Sequence, residues 1–278
     1  MNTTWKAILA TAITSLTVAC GGSGKGLSVS TRAATTTAGA TADGLKLPDG
    51  ILIQRIRMAV QRVSVEGGDA MRPGCLAPAL TAPMQAGPDP MTAATTSSGG
   101  HDDGAGDDEG CELAFGPFDV DLAGSTLAGG AISWAFEVPI PDGVYEEISV
   151  KVNTVPAALS GGSPVLRDLA AAHASIIVDG LVDPLTSTQK PFSFTTPMQV
   201  KQEREGTITV GTGANVTLDF TPDHWFDAAA GGRLDPTDPT NQGEILANIR
   251  ASIRLLKDSD HDGCDDDHAS ACATAQHP

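Results

Sequence analysis

Positive charge is scarce in this sequence. Lys and Arg together number 17 against 34 Asp and Glu, a formal net charge of −17. Nucleic-acid affinity comes largely from neutralising phosphates with Lys and Arg, so a chain this acidic is a poor partner for DNA or RNA. It is equally unsuited to adhering to an anionic membrane by charge alone. No CxxC pair offers zinc-like spacing. The signatures GxSxG and HExxH and any glycosidase-like pattern are missing, and the paired carboxylates fall in acidic runs, where pairing carries little information. "GGSGKG" at 21–26 lacks the preceding strand, the four-residue spacer and the Ser/Thr after lysine that a phosphate-binding loop needs.

The N-terminus, "MNTTWKAILATAITSLTVAC", has one cation at Lys6, a short uncharged run and then a cysteine. That order describes a secretory signal over residues 1–19, too short to stay in a bilayer as a spanning helix. "LTVAC" resembles a bacterial lipobox, with Ala19 before Cys20 and Thr17 where leucine is usual. The resemblance implies that Cys20 becomes the diacylglyceryl-modified first residue of the mature protein, an anchor of two or three acyl chains. An ordinary cleaved signal with Cys20 incidental is the alternative. Gly21 is not the aspartate that favours inner-membrane retention in enteric lipoproteins, which points to the outer membrane, facing periplasm or cell surface. Loss of residues 1–19, which carry only Lys6, takes the net charge from −17 to −18.

Five cysteines leave an odd one in an exported protein. Assigning Cys20 to lipid leaves Cys75, Cys111, Cys264 and Cys272, read as disulfides of an oxidising compartment. Proximity in sequence suggests Cys75–Cys111 and Cys264–Cys272, although four cysteines allow three pairings. Gly21 to about Gly44 is rich in Gly, Ser, Thr and Ala without apolar periodicity. Residues 20–47 therefore read as lipid anchor and flexible tether, reaching roughly 25–30 Å as a coil.

A single ordered domain is expected over 48–257. In "DGILIQRIRMAVQRVSVEGG", Ile56, Met58 and Val60 alternate with Arg57, Ala59 and Gln61, while Val63 and Val65 take the opposite parity. This predicts a strand with a bulge or break near Arg62, or else a short helix. The insertion 67–110 has too few large apolar residues to offset its ordering entropy. Its His101, Asp102, Asp103, Asp107, Asp108 and Glu109 either gather a cation or form a solvated loop. Strand-like alternation then recurs: Phe118, Val120 and Leu122; Ile132, Trp134, Phe136 and Val138; Ile148, Val150 and Val152; Val216, Leu218 and Phe220. Turn residues separate these runs, which predicts an all-β antiparallel sandwich of seven or eight strands. One C-terminal amphipathic helix is predicted over 241–257, with Asn241 as N-cap, Glu244 completing a capping box, and Ile245, Ile249, Ile253 and Leu256 on one face. Trp225, just before it, reads as a core plug between sandwich and helix rather than a ligand-stacking residue, and His224 as a surface turn residue.

The order "VPIPDGVYEEISVKV", "PFSFTT", "NVTLDFTPDHWFD", helix, aspartate loop resembles a group of uncharacterised exported bacterial lipoproteins. The resemblance rests on Pro141 to Tyr145, the strand ending at Phe220, and Trp225, and covers roughly residues 48–257. It implies a transthyretin-like (prealbumin-like) β-sandwich and an envelope address, and no established activity.

The segment 258–278 begins "DSDHDGCDD". Asp258, Asp260 and Asp262 stand at positions 1, 3 and 5 of an EF-hand-like calcium loop, Gly263 at 6, the Cys264 carbonyl at 7 and Asp266 at 9. Position 12 is Ala269, for which Asp265 or Asp267 would have to substitute, with a Cys264–Cys272 bridge in place of an exiting helix. At the C-terminus of a helix the macrodipole is negative, so a cation would relieve both the dipole and the crowded aspartates. A structural calcium of the weak extracellular class, Kd roughly 10⁻⁴–10⁻³ M, is weighed against a solvated acidic tail.

Three functional readings follow. The first is a lipid-anchored, non-catalytic envelope protein, calcium-stabilised, binding an envelope component, glycan or protein. The second is an exported hydrolase without a recognisable motif. The third is a periplasmic protein handling copper or another metal through His101, His224, His261 or His268.

Overall fold

The computed structural model describes residues 26–33, 39–41, 43–67, 111–127, 132–160, 162–183, 189–211 and 213–267. The signal, Cys20, Cys75, the acidic stretch 101–109, His268, Ala269 and Cys272 lie outside them. Cys111 is described by its backbone alone.

The strands β1 (Leu27–Ala33), β2 (Gly39–Thr41), β3 (Gly44–Lys46) and β4 (Ile51–Gly67) come first. They are followed by β5 (Cys111–Phe115), β6 (Phe118–Ala123), β7 (Ser133–Val138) and β8 (Gly143–Val152). Helix α1 (Pro164–Ala171) precedes β9 (Ile176–Val182), β10 (Lys190–Thr196), β11 (Val200–Val210) and β12 (Asn215–Phe220). Helix α2 (Gln242–Ser252) leads directly into β13 (Ile253–Lys257). The expected all-β class holds, with two sheets. A four-stranded sheet runs β13-β12-β1-β7, and a nine-stranded one is built around β4. Leu27, Val29 and Leu218 of the small sheet share one buried cluster with Ile56, Met58 and Val150 of the large one, so the sheets pack on a common core.

β4 organises the large sheet because it changes parity twice. Its register against β9 shifts between Ile53 and Arg55, and against β8 between Val60 and Arg62. Each bulge adds one residue and turns the following side chains over. The core face is therefore supplied by Ile51 and Ile53, then Ile56, Met58 and Val60, then Val63 and Val65, all essentially without solvent exposure. The parity change read from the sequence near Arg62 is the second of these bulges. Tyr145, also buried, donates its hydroxyl to the Pro141 carbonyl (2.8 Å) and fastens the turn that enters β8.

Four expectations are corrected. The stretch read as a tether contains β1, one of the two inner strands of the small sheet, parallel to β12 and antiparallel to β7. Its Ser and Thr residues are compatible with burial because they are hydrogen-bonded: Ser30 Oγ donates to Asn215 Oδ1 (2.9 Å) and Thr31 Oγ1 to the Ser133 carbonyl (3.3 Å). β2 and β3 also fall within it. The C-terminal helix stops at Ser252, since 253–257 gains more as a strand paired with β12, burying Ile253 and Leu255. Asn241 makes no side-chain cap; its amide donates to the Asp235 carbonyl (3.1 Å), and Glu244 instead accepts from the Ala229 N–H (2.6 Å). Trp134 does not share the buried face of Phe136 and Val138. A register shift opposite Val29 and Ser30 turns it outward, 65% exposed.

α1 was not anticipated, and thirteen strands among the described residues exceed the seven or eight expected. Trp225 is fully buried and its Nε1 donates to Ser252 Oγ (2.6 Å) at the end of α2, the plug expected of it. His224 is exposed and hydrogen-bonds Asp227 (2.6 Å), which raises its pKa.

Candidate metal centre

β12 is buried on both faces although one face is polar: Asn215, Thr217 and Asp219. β1 sets Ser28, Ser30 and Arg32 beside them in register. The cover for this polar face is the aspartate loop, which folds back over it after β13. Its first residue, Asp258, has no solvent exposure. A buried carboxylate must be hydrogen-bonded, and it is. Thr217 Oγ1 donates to Oδ2 (2.5 Å) and the Gly263 N–H to Oδ1 (3.1 Å). Asn215 Nδ2 also donates to the Asp258 carbonyl (2.9 Å).

Gly263 has φ +78°, a left-handed conformation natural to glycine. A side chain there would also collide with the Arg32 guanidinium, whose Nε donates to Asp219 Oδ1 (2.9 Å). The loop thus rests on an ion pair of the sheet. On its far side, Arg204 from β11 donates to Asp265 Oδ1 and Asp267 Oδ2, both at 2.8 Å. That bond, aided by Lys257, holds the Asp267 carboxyl below its ordinary range. Asp265 and Asp267, the candidates to complete a calcium loop, are engaged here by cations of the fold.

Asp258, Asp260 and Asp262 each present a carboxylate oxygen within 4.8 Å of the others, a group that could hold a metal ion. Oxygens on opposite sides of an ion coordinated at 2.3–2.6 Å lie about 4.6–5.2 Å apart, so the spacing suits a hard cation. Asp260 and Asp262 are exposed, leaving an approach from solvent. The remaining ligand candidates divide. Asp266 reaches across the loop, accepting from the Ser259 N–H (2.9 Å), and stands outside the three-carboxylate group. Cys264 is buried, disulfide-bonded, and donates its N–H to Asp262 Oδ1 (2.7 Å). Which cysteine it meets falls outside the described residues. No histidine joins the group among the described residues.

Contrary to expectation, β13 rather than a helix enters the loop, so no helix C-terminus faces the aspartates there. What replaces it is Asp258 fixed in a buried hydrogen-bond network with two exposed carboxylates drawn against it. Thr217, Asn215, Arg32 and Arg204 were missed by sequence reasoning. The alternation Asn215, Thr217, Asp219 looks like a solvated strand face, and only the loop's return shows that it is covered.

A cleft of about 320 Å³ also opens beside Arg62 and Lys151, walled by Phe115, Pro117, Pro156 and Leu159. Its lining offers cations and apolar surface but no carboxylate or histidine. Comparison with family models, curated proteins and solved structures finds no match to the chain.

Proposed function

We propose that this chain is a lipid-anchored, non-catalytic envelope protein, a binding or structural β-sandwich of transthyretin-like type whose C-terminal loop is stabilised by calcium. The observation that carries the calcium reading is the convergence of Asp258, Asp260 and Asp262 within 4.8 Å, with Asp258 buried. Three carboxylates at that separation repel, and a divalent cation turns the repulsion into coordination. The all-oxygen donor set suits calcium better than copper or zinc, which favour nitrogen and sulfur.

The anchor reading rests on the lipobox-like sequence. With Cys20 lipidated, six residues, Gly21 to Gly26, stand before β1. Fully extended they reach roughly 20 Å, so the sandwich would sit close to the bilayer rather than on a long tether.

Thermal melting of the full chain in excess EDTA and then in millimolar calcium tests the site, with an Asp260→Ala, Asp262→Ala double variant alongside. At a calcium concentration about 100 times Kd, linkage predicts about 2.7 kcal/mol of stabilisation, a rise of several degrees that the double variant loses. Identical melts in both conditions, with no calorimetric heat on titration, would reduce the loop to a packed acidic turn.

A further inference from the structure

The large sheet carries a second charged feature, set by register alone. Across β5, β4, β8 and β11, the residues Glu112, Glu66, Glu147 and Glu205 stand directly opposite one another. Four residues along each strand, Arg62, Lys151 and Lys201 do the same across β4, β8 and β11. Between the rows lie Ala114, Ser64, Ser149 and Glu203. Ser64 and Ser149 sit low, buried with their hydroxyls 2.8 Å apart. The face is thus a band of cations, a middle row that is shallow over Ala114, Ser64 and Ser149 and carries Glu203 at its β11 end, and a band of glutamates. The two bands lie about 13 Å apart over four residues.

Like charges directly opposed across strands are unfavourable, and little within the chain offsets them. Arg62 pairs with Glu112 (2.8 Å) and Lys201 with Glu203. Lys151, Glu66, Glu147 and Glu205 have no ion pair among the described residues. Glu147 shows the strain: burial and then the neighbouring Glu203, Glu66 and Glu205 push its carboxyl upward, against Lys201.

A two-fold axis lying in the plane of this face, along the shallow middle row, exchanges the two bands. From this we infer that the face is a self-association surface for a second copy of this chain. Each strand crosses its own copy antiparallel, bringing Arg62 over the partner's Glu66, Lys151 over the partner's Glu147, and Lys201 over the partner's Glu205. Such a contact is isologous, as a closed dimer requires. Sheets packed face to face lie about 10 Å apart, a gap that opposed Lys and Glu side chains span. Ala114, Ser64 and Ser149 let the faces approach over β5, β4 and β8, while Glu203, near the axis on β11, stays paired with Lys201 of its own chain. The patch covers only short segments of four strands, so the dimer is a weak, charge-specified one rather than an obligate one.

The test is sedimentation velocity of the purified full chain over a concentration series at about 0.15 M salt, where the Debye length is about 8 Å and the net charge is screened. Lys151→Glu and Glu147→Lys are each expected to raise the dissociation constant about tenfold or more. They move the net charge in opposite directions, so a shared effect is not a net-charge effect. The double exchange restores both contacts by symmetry and returns the constant to near its original value. Arg62→Glu with Glu66→Arg gives an independent second pair should either first variant fold poorly, which melting reports. A chain monomeric to about 1 mM, a dimer unmoved by both single exchanges, or one that the double exchanges leave broken would overturn the proposal.

Discussion

On the outward face of β4, Arg55 and Arg57 are matched by aspartates of neighbouring elements, whereas Arg62 and Glu66 sit in cross-strand rows of a single sign. In the first half, Arg55 forms a two-pronged pair with Asp121 of β6 (2.7 and 2.6 Å). Arg57 reaches Asp179 of β9 (2.7 Å) and Asp168 of α1 (3.0 Å). Ala59 then admits α1 to the sheet, where Leu166, Leu169 and Ile177 close a small apolar cluster around it. In the second half, beyond the bulge between Val60 and Arg62, no described helix covers the sheet and the charges are banded. One strand thus shows two solutions for an outer face: charges matched within the fold under a helix, or charges sorted so that their match must come from elsewhere.

The largest effect is expected in the half of β4 that α1 covers. Leu169→Ala removes a fully buried side chain from beneath α1 and is expected to cost about 2–5 kcal/mol, measured by urea unfolding. Lysine or glutamate variants in the banded half should cost far less. A loss below about 0.5 kcal/mol for Leu169→Ala would mean that α1 is not a structural cover.

Arg57→Ala probes the interleaved charges themselves. Its guanidinium is 13% exposed and bridges sheet and helix. Its loss is expected to cost about 1–2 kcal/mol, tempered by the solvent reaching Asp168 and Asp179. A double-mutant cycle with Asp179→Ala assigns the share that belongs to the pair.

The smallest effect has the opposite sign. Glu147→Gln relieves the glutamate row and should stabilise the monomer by a few tenths to about 1 kcal/mol at neutral pH. Because the folded pKa of Glu147 is raised, its ionised form carries a penalty at high pH. That penalty fades as pH falls through the raised value and is gone below the ordinary one. The difference in unfolding free energy between wild type and Glu147→Gln should therefore be present at pH 7 and vanish by about pH 4. A constant difference across that range would show that the row exerts no electrostatic strain.

How much of this could be read in advance depended on whether a residue's partner was near or far. Alternation in β6, β8 and β12 was legible because apolar side chains recur every second residue, and the Arg62 bulge was legible as a parity change within one strand. Trp225 could be placed because a bulky aromatic just before an amphipathic helix has a ready apolar surface to fill. β1 was not legible. "LSVSTRA" looks like a tether until Asn215 and Ser133 are brought to its hydroxyls. α1 had its signals, Ser163 accepting from the Leu166 N–H (3.2 Å) and Pro164 at the first turn, but eight residues were too few to stand out from a loop. Ile253 and Leu256 fit a helical period and Ile253 and Leu255 an extended one; pairing with β12 decided between them. In the candidate site the three aspartates were readable from their spacing, whereas the Thr217 and Gly263 bonds that bury Asp258 depend on strand pairing.

β1 has a consequence for the order of assembly. Arg32 and Asp219, paired across β1 and β12, are 187 residues apart, and β13 must arrive after that to flank β12 on its other edge. Contacts at such separation carry the largest loop-closure cost and form late. The small sheet can therefore be completed only when nearly the whole described chain has emerged, while the hairpin of β9 and β10 can form from neighbouring sequence. β1 is synthesised early, meets β7 only after β2 to β6 have been made and β12 later still, so a strand inside the small sheet is among the first segments made and among the last to be enclosed.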